Sequence, residues 1–292
     1  MMKKLLSMLL CLSLVLSLGA AAFAEGPRAR VVLGADLTNE QVAKIYQSFG
    51  VQDGSVPELN LTNAEERRYL QHYVESSVIG TKAISCVYVE LTAAGSGMEI
   101  KTSNVSWCTP EMYVSALTTA GVTDAKILVT APFPVSGTAA LAGVYKAYED
   151  ITGSEIGETE QQVSTQELAV SGELAQQIGS FDALSIISDL KMMLDETDDM
   201  SDGDLSNTIR EIGRDYSVDL NDSQIGQLRE LVRSLEKLNP DDIRQRVEDV
   251  RETLQKIEDA KDEVVSFAKT MYRIFGAIGD FIDNIREILG KK

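Results

Sequence analysis

The sequence is poor in the residues from which most catalytic and metal sites are built. It contains one histidine, three cysteines and one tryptophan in 292 residues. Serine and cysteine hydrolases usually need a histidine as the base, and zinc sites usually recruit several histidine or cysteine ligands. A lone histidine, here His72, is more often a surface or packing residue. The composition therefore argues against a histidine-dependent hydrolase and against a zinc centre.

Basic residues are outnumbered by acidic ones. The chain has 27 lysines and arginines against 45 aspartates and glutamates, which gives a formal net charge of −18. Nucleic acids bind to basic surfaces because their phosphates are negatively charged, and this sequence has no basic stripe interleaved with aromatic residues. We therefore expect no nucleic acid partner.

The first 24 residues have the organisation of a secretory signal peptide. Two lysines precede an apolar run from Leu5 to Leu18, and Ala22-Phe23-Ala24 forms a small-x-small cleavage site. The mature chain is predicted to begin at Glu25. We therefore expect a secreted protein that lies outside the cytoplasmic membrane, either free or associated with the cell envelope.

Residues 25–153 predict an α+β domain. Their strand and helix signals follow the order β-α-β-α-β-β-α-β-α, which is typical of a mixed sheet with helices packed on it. The segment RARVVLGA at 28–35 predicts the first strand. Capping-box spacing begins one helix after Thr38 and another after Thr62, because each threonine is followed three residues later by Gln or Glu. The second helix is predicted to run to about Glu75.

The remaining strands of this domain include a predicted β-hairpin. Segments 82–91 and 98–107 are rich in β-branched and aromatic residues, and a Gly-Ser-Gly run at 95–97 joins them. Residues 57–61 predict a short edge strand, because proline is tolerated at the edge of a sheet. Residues 124–133 are more continuously apolar and predict a strand that is covered on both faces.

Two further helices flank this last strand in the sequence. Thr109 offers a capping hydroxyl and Pro110 suits the first helical position, so a helix begins here and ends at Gly121. The other helix opens at Ser136-Gly137-Thr138 and continues through Tyr148. Since the tripeptide follows a strand and opens a helix, its free amides and the helix dipole predict a site for an anion or another ligand. Ordinary helix capping is the alternative.

Cys86 and Cys108 are the only cysteines after the leader. Export makes a disulfide chemically allowed, and a turn centred near Ser96 would bring Cys86 opposite about Ser106, two residues short of Cys108. A bridge that staples the predicted hairpin to the next helix is therefore one prediction. Two buried free thiols are the alternative.

Four blocks of the sequence resemble a known family. They are LGADLT at 33–38, AISCVYVELTAAGSGMEIKT at 83–102, EMYVSALTTAGVTDAK at 111–126 and VTAPFPVSGTAALAGVYKAYEDITG at 129–153. In these blocks the chain resembles the secreted family of Gram-positive bacteria catalogued as domain of unknown function 1002. The resemblance implies a secreted protein, and it brings with it no reaction and no catalytic residues.

Residues 154–292 predict an acidic, all-helical region. The segment Asn239-Pro240-Asp241-Asp242 is the clearest helix start in the sequence, with a cap, a proline at the first helical position and acids at the positive end of the dipole. From 243 to 289, apolar residues alternate spacings of four and three, interrupted only by Lys261. This heptad seam predicts a long amphipathic helix over 240–290.

The last part of this helix predicts a contact surface. Residues 264–292 contain 5 basic and 3 acidic residues, and a second apolar row widens the apolar face. The predicted contact residues are Phe267, Met271, Ile274, Phe275, Ile278, Phe281, Ile282, Ile285 and Leu289. Three alternatives stay open: the segment docks on the protein's own helices, pairs with another copy, or lies on an anionic membrane surface.

These patterns favour a non-catalytic interaction or structural protein of the cell exterior, with no metal and no cofactor. The alternative is a cell-wall-directed hydrolase that uses carboxylates, for which an acidic chain offers pairs such as Asp198 and Asp202. Buried carboxylates with raised pKa values grouped in one pocket would favour the enzyme. A featureless cleft together with an exposed apolar stripe would favour binding.

Overall fold

The fold is built around a mixed five-stranded sheet. The computed structural model describes residues 28–250, and the predicted leader and contact residues lie outside that range. The strands are β1 (Ala29–Gly34), β2 (Glu58–Leu61), β3 (Cys86–Leu91), β4 (Met98–Val105) and β5 (Ala125–Val135). They lie in the order β2-β1-β3-β5-β4. The sheet and its helices confirm the predicted α+β class.

Five helices accompany the sheet. They are α1 (Asn39–Phe49), α2 (Asn63–Leu70), α3 (Ser76–Ile79), α4 (Pro110–Thr119) and α5 (Thr138–Thr152). The order is the predicted one except that the second helix is shorter and is followed by the extra helix α3. The chain turns after Leu70, and both Val74 and Ile79 become buried as a result.

Two parallel strand pairs flank an antiparallel central strand. β1 is parallel to β2, and β4 is parallel to β5, each pair being connected through a helix. β3 is antiparallel to both β1 and β5. Because β5 lies between β3 and β4, the predicted hairpin is wrong. The apolar β5 takes the position with a neighbour on each side, whereas β4 exposes Glu99 and Lys101 and suits a sheet edge.

Two of the predicted helix starts are confirmed in detail. Thr38 and Thr62 each accept a hydrogen bond from the backbone N–H three residues later, and Gln41 and Glu65 complete the capping boxes. Thr109 differs. The backbone at Thr109 has the conformation of a cap, but its buried hydroxyl has no hydrogen-bond partner in the described part of the chain.

The chain after 153 is helical as far as it is described. Its helices are α6 (Glu158–Ile178), α7 (Ser180–Met192), α8 (Leu194–Asp198), α9 (Asp202–Asp215), α10 (Asp222–Leu235) and α11, which begins at 240 and reaches the last described residue, 250. The side chain of Asn239 accepts hydrogen bonds from the backbone N–H groups of Asp241 and Asp242, as expected for the predicted helix start.

The buried residues form three clusters. Leu33 and Val31 of β1 face Ile45 and Phe49 of α1, whereas Val32, between them in the sequence, faces the opposite side. On that opposite side α2, α4 and α5 cover the sheet and form the largest cluster, which we call the sheet cluster. Helices α6 to α11 enclose another, which we call the helical cluster.

The beginning of the predicted heptad seam is docked on the protein itself. Ile243 and Val247 are buried in the helical cluster, and Val250 is buried in the sheet cluster. The first three seam positions therefore contact the protein's own body, and the three alternatives for 264–292 stay open. The positions from 254 onward lie outside the described residues.

Candidate functional site

A cleft of about 280 Å³ opens where β5 ends and α5 begins. We call it the Glu66 cleft. Among its lining residues are Glu66, Val78, Ile84, Phe133, Val135 and Ser136. Phe133 is the one large hydrophobic side chain between 28 and 250 that is exposed, at 46%. The cleft therefore combines an apolar wall with a small number of polar groups, the usual composition of a small-molecule site.

Two ionisable residues line this cleft, the buried Glu66 and the exposed Lys82. The position of Glu66 is set by its helix. Glu66 lies in the first turn of α2, three residues after Asn63 and therefore on the same helix face, and it is only 1% exposed. One carboxyl oxygen accepts a hydrogen bond from Thr138 Oγ1 at 2.8 Å, and the other accepts one from Asn63 Nδ2 at 3.1 Å. The capping box at Thr62 fixes the start of this helix and so the position of the carboxyl group.

Burial controls the charge of this carboxyl group. It raises the pKa of Glu66 to about 7, although the hydrogen bonds from Thr138 and Asn63 act in the opposite direction. Near neutral pH the group is therefore present in both protonation states. It can accept hydrogen bonds as a carboxylate or donate one as an acid.

The tripeptide Ser136-Gly137-Thr138, the predicted ligand site, lies beside Glu66. Gly137 and Thr138 make hydrogen bonds to other residues of the protein. Thr138 is buried, and its hydroxyl is the one that donates to Glu66. The carbonyl of Gly137 accepts a hydrogen bond from the Tyr113 hydroxyl at 2.7 Å. Ser136 alone of the three lines the cleft. A ligand there stays a prediction, and an anion would meet both the carboxyl group of Glu66 and the ammonium group of Lys82 in this cleft.

Gly137 is required by its surroundings. Its φ is +97°, in the left-handed region that favours glycine. A Cβ atom there would lie 2.5 Å from Val105 Cγ1 and 2.7 Å from the Tyr113 hydroxyl. The close approach of the backbone to Tyr113 therefore sets the start of α5 and, with it, the position of Thr138.

The two cysteines are buried free thiols. Cys86 belongs to the cluster around α1, whereas Cys108 belongs to the sheet cluster on the other side. Burial raises the pKa of each thiol to about 12. The structure therefore contains two free thiols, the alternative to the predicted bridge. Both thiols are too weakly acidic to act as nucleophiles near neutral pH.

Comparison with known proteins places the chain in a family. The family model described as "Protein of unknown function (DUF1002)" matches residues 33–257. The chain belongs to this family. It is also 37% identical over 241 residues to the uncharacterized protein YpuA of Bacillus subtilis (strain 168), an alignment that covers 82% of this chain and 80% of that protein. No solved structure matches it.

This DUF1002 member also contains a buried ion pair. Lys191 of α7 and Glu167 of α6 are 1% and 0% exposed, and their Nζ and Oε1 atoms are 2.6 Å apart. Lys191 also donates to the carbonyl oxygen of Ser115 at 3.1 Å and to its hydroxyl at 3.3 Å. Glu167 accepts further hydrogen bonds from the hydroxyls of Ser115 and Thr119. Burial lowers the pKa of Lys191, and the nearby carboxylate opposes that change.

This serine, lysine and glutamate arrangement is closed to substrates. The cavity beside it has a volume of about 10 Å³, room for about one water molecule. Val247 and Val250 of α11 form part of its wall. The cluster therefore ties α4 to α6 and α7 and presents no surface to a ligand.

The sequence predictions missed the four buried charged residues, Glu66, Glu111, Glu167 and Lys191, although Glu66 and Lys191 left a signal. Glu66 precedes Leu70 and Val74 at spacings of four, so it occupies an apolar position of its helix. Lys191 likewise follows Leu184 and Ile187 on the apolar face of α7. A charged residue at an apolar position indicates a buried pair or a site.

No three or more His, Cys, Asp or Glu side chains between 28 and 250 are grouped so that they could hold a metal ion. In the same range, no helix has the length and apolar character needed to cross a membrane.

Proposed function

We propose that this protein is exported and acts outside the cytoplasmic membrane as a non-catalytic binding or structural module. The observation that supports the non-catalytic part is the arrangement of three buried ionisable groups, Glu66, Lys191 and Glu167. Both oxygens of Glu66 accept hydrogen bonds from protein donors, and Lys191 and Glu167 satisfy each other in a closed cavity. Lys191 and Glu167 are therefore closed to a substrate, and Glu66 has no second carboxyl group in its cleft with which to act as an acid and base pair.

The rival function, a hydrolase that uses carboxylates, gains no support from the Glu66 cleft. Glycoside hydrolysis typically needs two carboxyl groups about 5–10 Å apart across the scissile bond. Glu66 is the one Asp or Glu among the residues that line this cleft. Asp202, from the pair considered in the sequence, instead lies within 3.2 Å of Arg233 in an exposed ion pair.

The contact part of the proposal concerns the segment after α11. The seam begins with Ile243, Val247 and Val250 buried against the body of the protein. In the sequence it continues with further apolar positions and with the second row that includes Phe267 and Phe281. A helix that starts from a folded body and carries additional apolar positions is suited to bind a second copy or an anionic membrane surface.

Fractionation of the producing cells tests this proposal. The full chain is compared with a variant that carries Phe275→Asp and Ile282→Asp on the seam. The control variant carries Ser266→Asp and Asn284→Asp, which add the same charge away from the seam. We expect wild type and control in the envelope fraction or as dimers, and the seam variant in the medium as a monomer. Equal distribution and equal size of all three would contradict a contact role for this segment.

A further inference from the structure

A second, larger groove lies between α2 and α6. Its volume is about 510 Å³, within the range of about 300–1,000 Å³ that is typical of small-molecule sites. It is lined by Arg68, Tyr69, His72, Tyr73, Glu158, Gln161 and Gln162. We call it the tyrosine groove. Its lining is aromatic and polar, in contrast to the apolar wall of the Glu66 cleft.

The aromatic part of this lining is held in place. The ring of Tyr69 packs edge-on against Tyr145, with centroids 5.8 Å apart and an interplanar angle of 67°. Both Tyr69 and Tyr73 are half-buried and pack against the sheet cluster. Rings that are fixed in advance offer contact area to a ligand at a small cost in conformational entropy.

Several polar groups of the groove have unused hydrogen-bonding capacity. The hydroxyls of Tyr69 and Tyr73 and the ring nitrogens of His72 make no hydrogen bond to any residue of the described chain. The side-chain amides of Gln161 and Gln162 are oriented by carboxylates, through hydrogen bonds of 2.8 Å to Glu149 and 3.0 Å to Glu158. The groove is therefore lined by hydroxyl, imidazole and amide groups as well as by aromatic rings.

We propose that the tyrosine groove binds a neutral oligosaccharide that carries N-acetyl groups. A sugar ring has C–H faces, which pack on the electron-rich faces of aromatic rings, and hydroxyls, which pair with planar polar side chains. The amide side chains of glutamine match an acetamido group, because each has one acceptor and N–H donors.

The charge of the molecule favours a neutral ligand over an anionic one. The lining has one formal positive charge, on Arg68, and one formal negative charge, on Glu158, and the chain as a whole has a net charge of −18. A protein of this charge repels polymers of phosphate. Export would bring the groove into contact with extracellular sugars, but the binding itself does not depend on where the protein acts or on its C-terminal segment.

Calorimetric titration of the mature chain tests the proposal. The probes are a tetramer of N-acetylglucosamine and poly(glycerol phosphate), both at pH 7. The variants are His72→Ala and Tyr73→Ala, and the matched control is Gln71→Ala, which changes an exposed residue next to His72 that does not line the groove. Circular dichroism shows whether each variant is folded. If Tyr73→Ala does not fold, His72→Ala, which changes an exposed residue, still tests the proposal.

We expect the tetramer to bind to wild type and to Gln71→Ala with equal affinity. The affinity of His72→Ala and of Tyr73→Ala for the tetramer is expected to be lower than that of wild type by a factor of about ten or more. Poly(glycerol phosphate) is expected not to bind. Absence of tetramer binding to the wild type, equal affinity of the folded groove variants, or tighter binding of the anionic polymer would each overturn the proposal.

Discussion

Lys191 and Glu167 show what a buried charge requires from its neighbours. The three N–H groups of Lys191 have three acceptors, namely one carboxylate oxygen of Glu167 and two oxygen atoms of Ser115. The carboxylate of Glu167 accepts from Lys191 and from two hydroxyls. Moving both charges out of water is costly, so the pair is stable only while these hydrogen bonds are complete.

Removing one member of this pair is expected to be strongly destabilising. Lys191→Met leaves Glu167 buried without its counter-charge and should lower the free energy of unfolding by about 3–5 kcal/mol, as measured by urea denaturation. Adding Glu167→Gln should recover most of that loss, because the uncompensated charge is gone. Lys44→Met removes an exposed ion pair with Glu40 and serves as a control without a measurable effect. An equal loss in the single and the double variant would contradict the role of charge.

The free energy of unfolding is predicted to depend on pH through Glu66. Its pKa is about 7 in the folded protein and 4.5 in the reference state, so the folded chain binds the proton more tightly. Its contribution is therefore most favourable below pH 4.5, and it is lost as the pH rises to 7 and beyond. A difference of this size corresponds to about 3 kcal/mol. We expect Glu66→Gln to gain stability relative to wild type between pH 5 and pH 8, measured by urea unfolding at each pH.

Two comparisons make the Glu66 experiment specific. Glu230→Gln, which removes an exposed carboxyl group of α10, is the control for the loss of one carboxyl group at the surface. Parallel stability curves for wild type and Glu66→Gln across this pH range would show that Glu66 does not take up a proton on folding, and the prediction would be wrong.

At the scale of elements, the sequence predicted what is decided locally and missed what is decided by distant pairing. Helix starts at Thr38, Thr62 and Asn239 are fixed by hydrogen bonds within four residues, and all three are present. The partner of β3 is β5, whose residues lie about forty positions further along the chain. The Gly-Ser-Gly run at 95–97 favoured a hairpin, because turn residues report the local chain path and not which strand fills the next place in the sheet.

The difference between local and distant contacts also explains why the hydrogen-bond partners of Glu66 and Lys191 were not predicted. The apolar spacing around Glu66 and Lys191 indicates that these residues are buried, but their partners Thr138 and Glu167 are 72 and 24 positions away. A pattern within one helix contains no information about those partners. The positions of buried charges could therefore be predicted from the sequence, whereas the network that satisfies them could not.

The helix starts give a prediction at the element scale. Thr38→Ala removes a capping hydroxyl and should lower the free energy of unfolding by about 1 kcal/mol. Thr109→Val removes a buried hydroxyl that has no partner within residues 28–250, so we expect little change or a gain in stability. Thermal and urea unfolding of the two variants, compared with wild type, measure both effects. A loss at Thr109 equal to that at Thr38 would show that its hydroxyl does act as a cap.

In the whole molecule, α6 and α11 join the sheet cluster to the helical cluster. Leu168 of α6 is buried in the sheet cluster, and Val163 and Leu174 are buried in the helical cluster. In α11 the side chain of Arg246 also donates to the carbonyl oxygen of Thr119 at 3.3 Å. The predicted domain boundary after 153 separates two sequence patterns and stays a prediction, but the elements on its two sides share packed helices.

Such sharing is expected to make unfolding a single cooperative transition. Trp107, the only tryptophan of the chain, packs against the sheet cluster and lies against Gly172 of α6. Its fluorescence therefore reports on the contact between the sheet cluster and α6. In urea, its midpoint should coincide with that of far-ultraviolet circular dichroism, which reports on all helices. Val247→Ala with Val250→Ala removes packing from both clusters and should lower the free energy of unfolding by about 2–4 kcal/mol, moving both midpoints together. Glu248→Ala, exposed on the same helix, is the control. If only one of the two unfolding midpoints moved, the sheet cluster and the helical cluster would unfold separately, and α11 would not couple them.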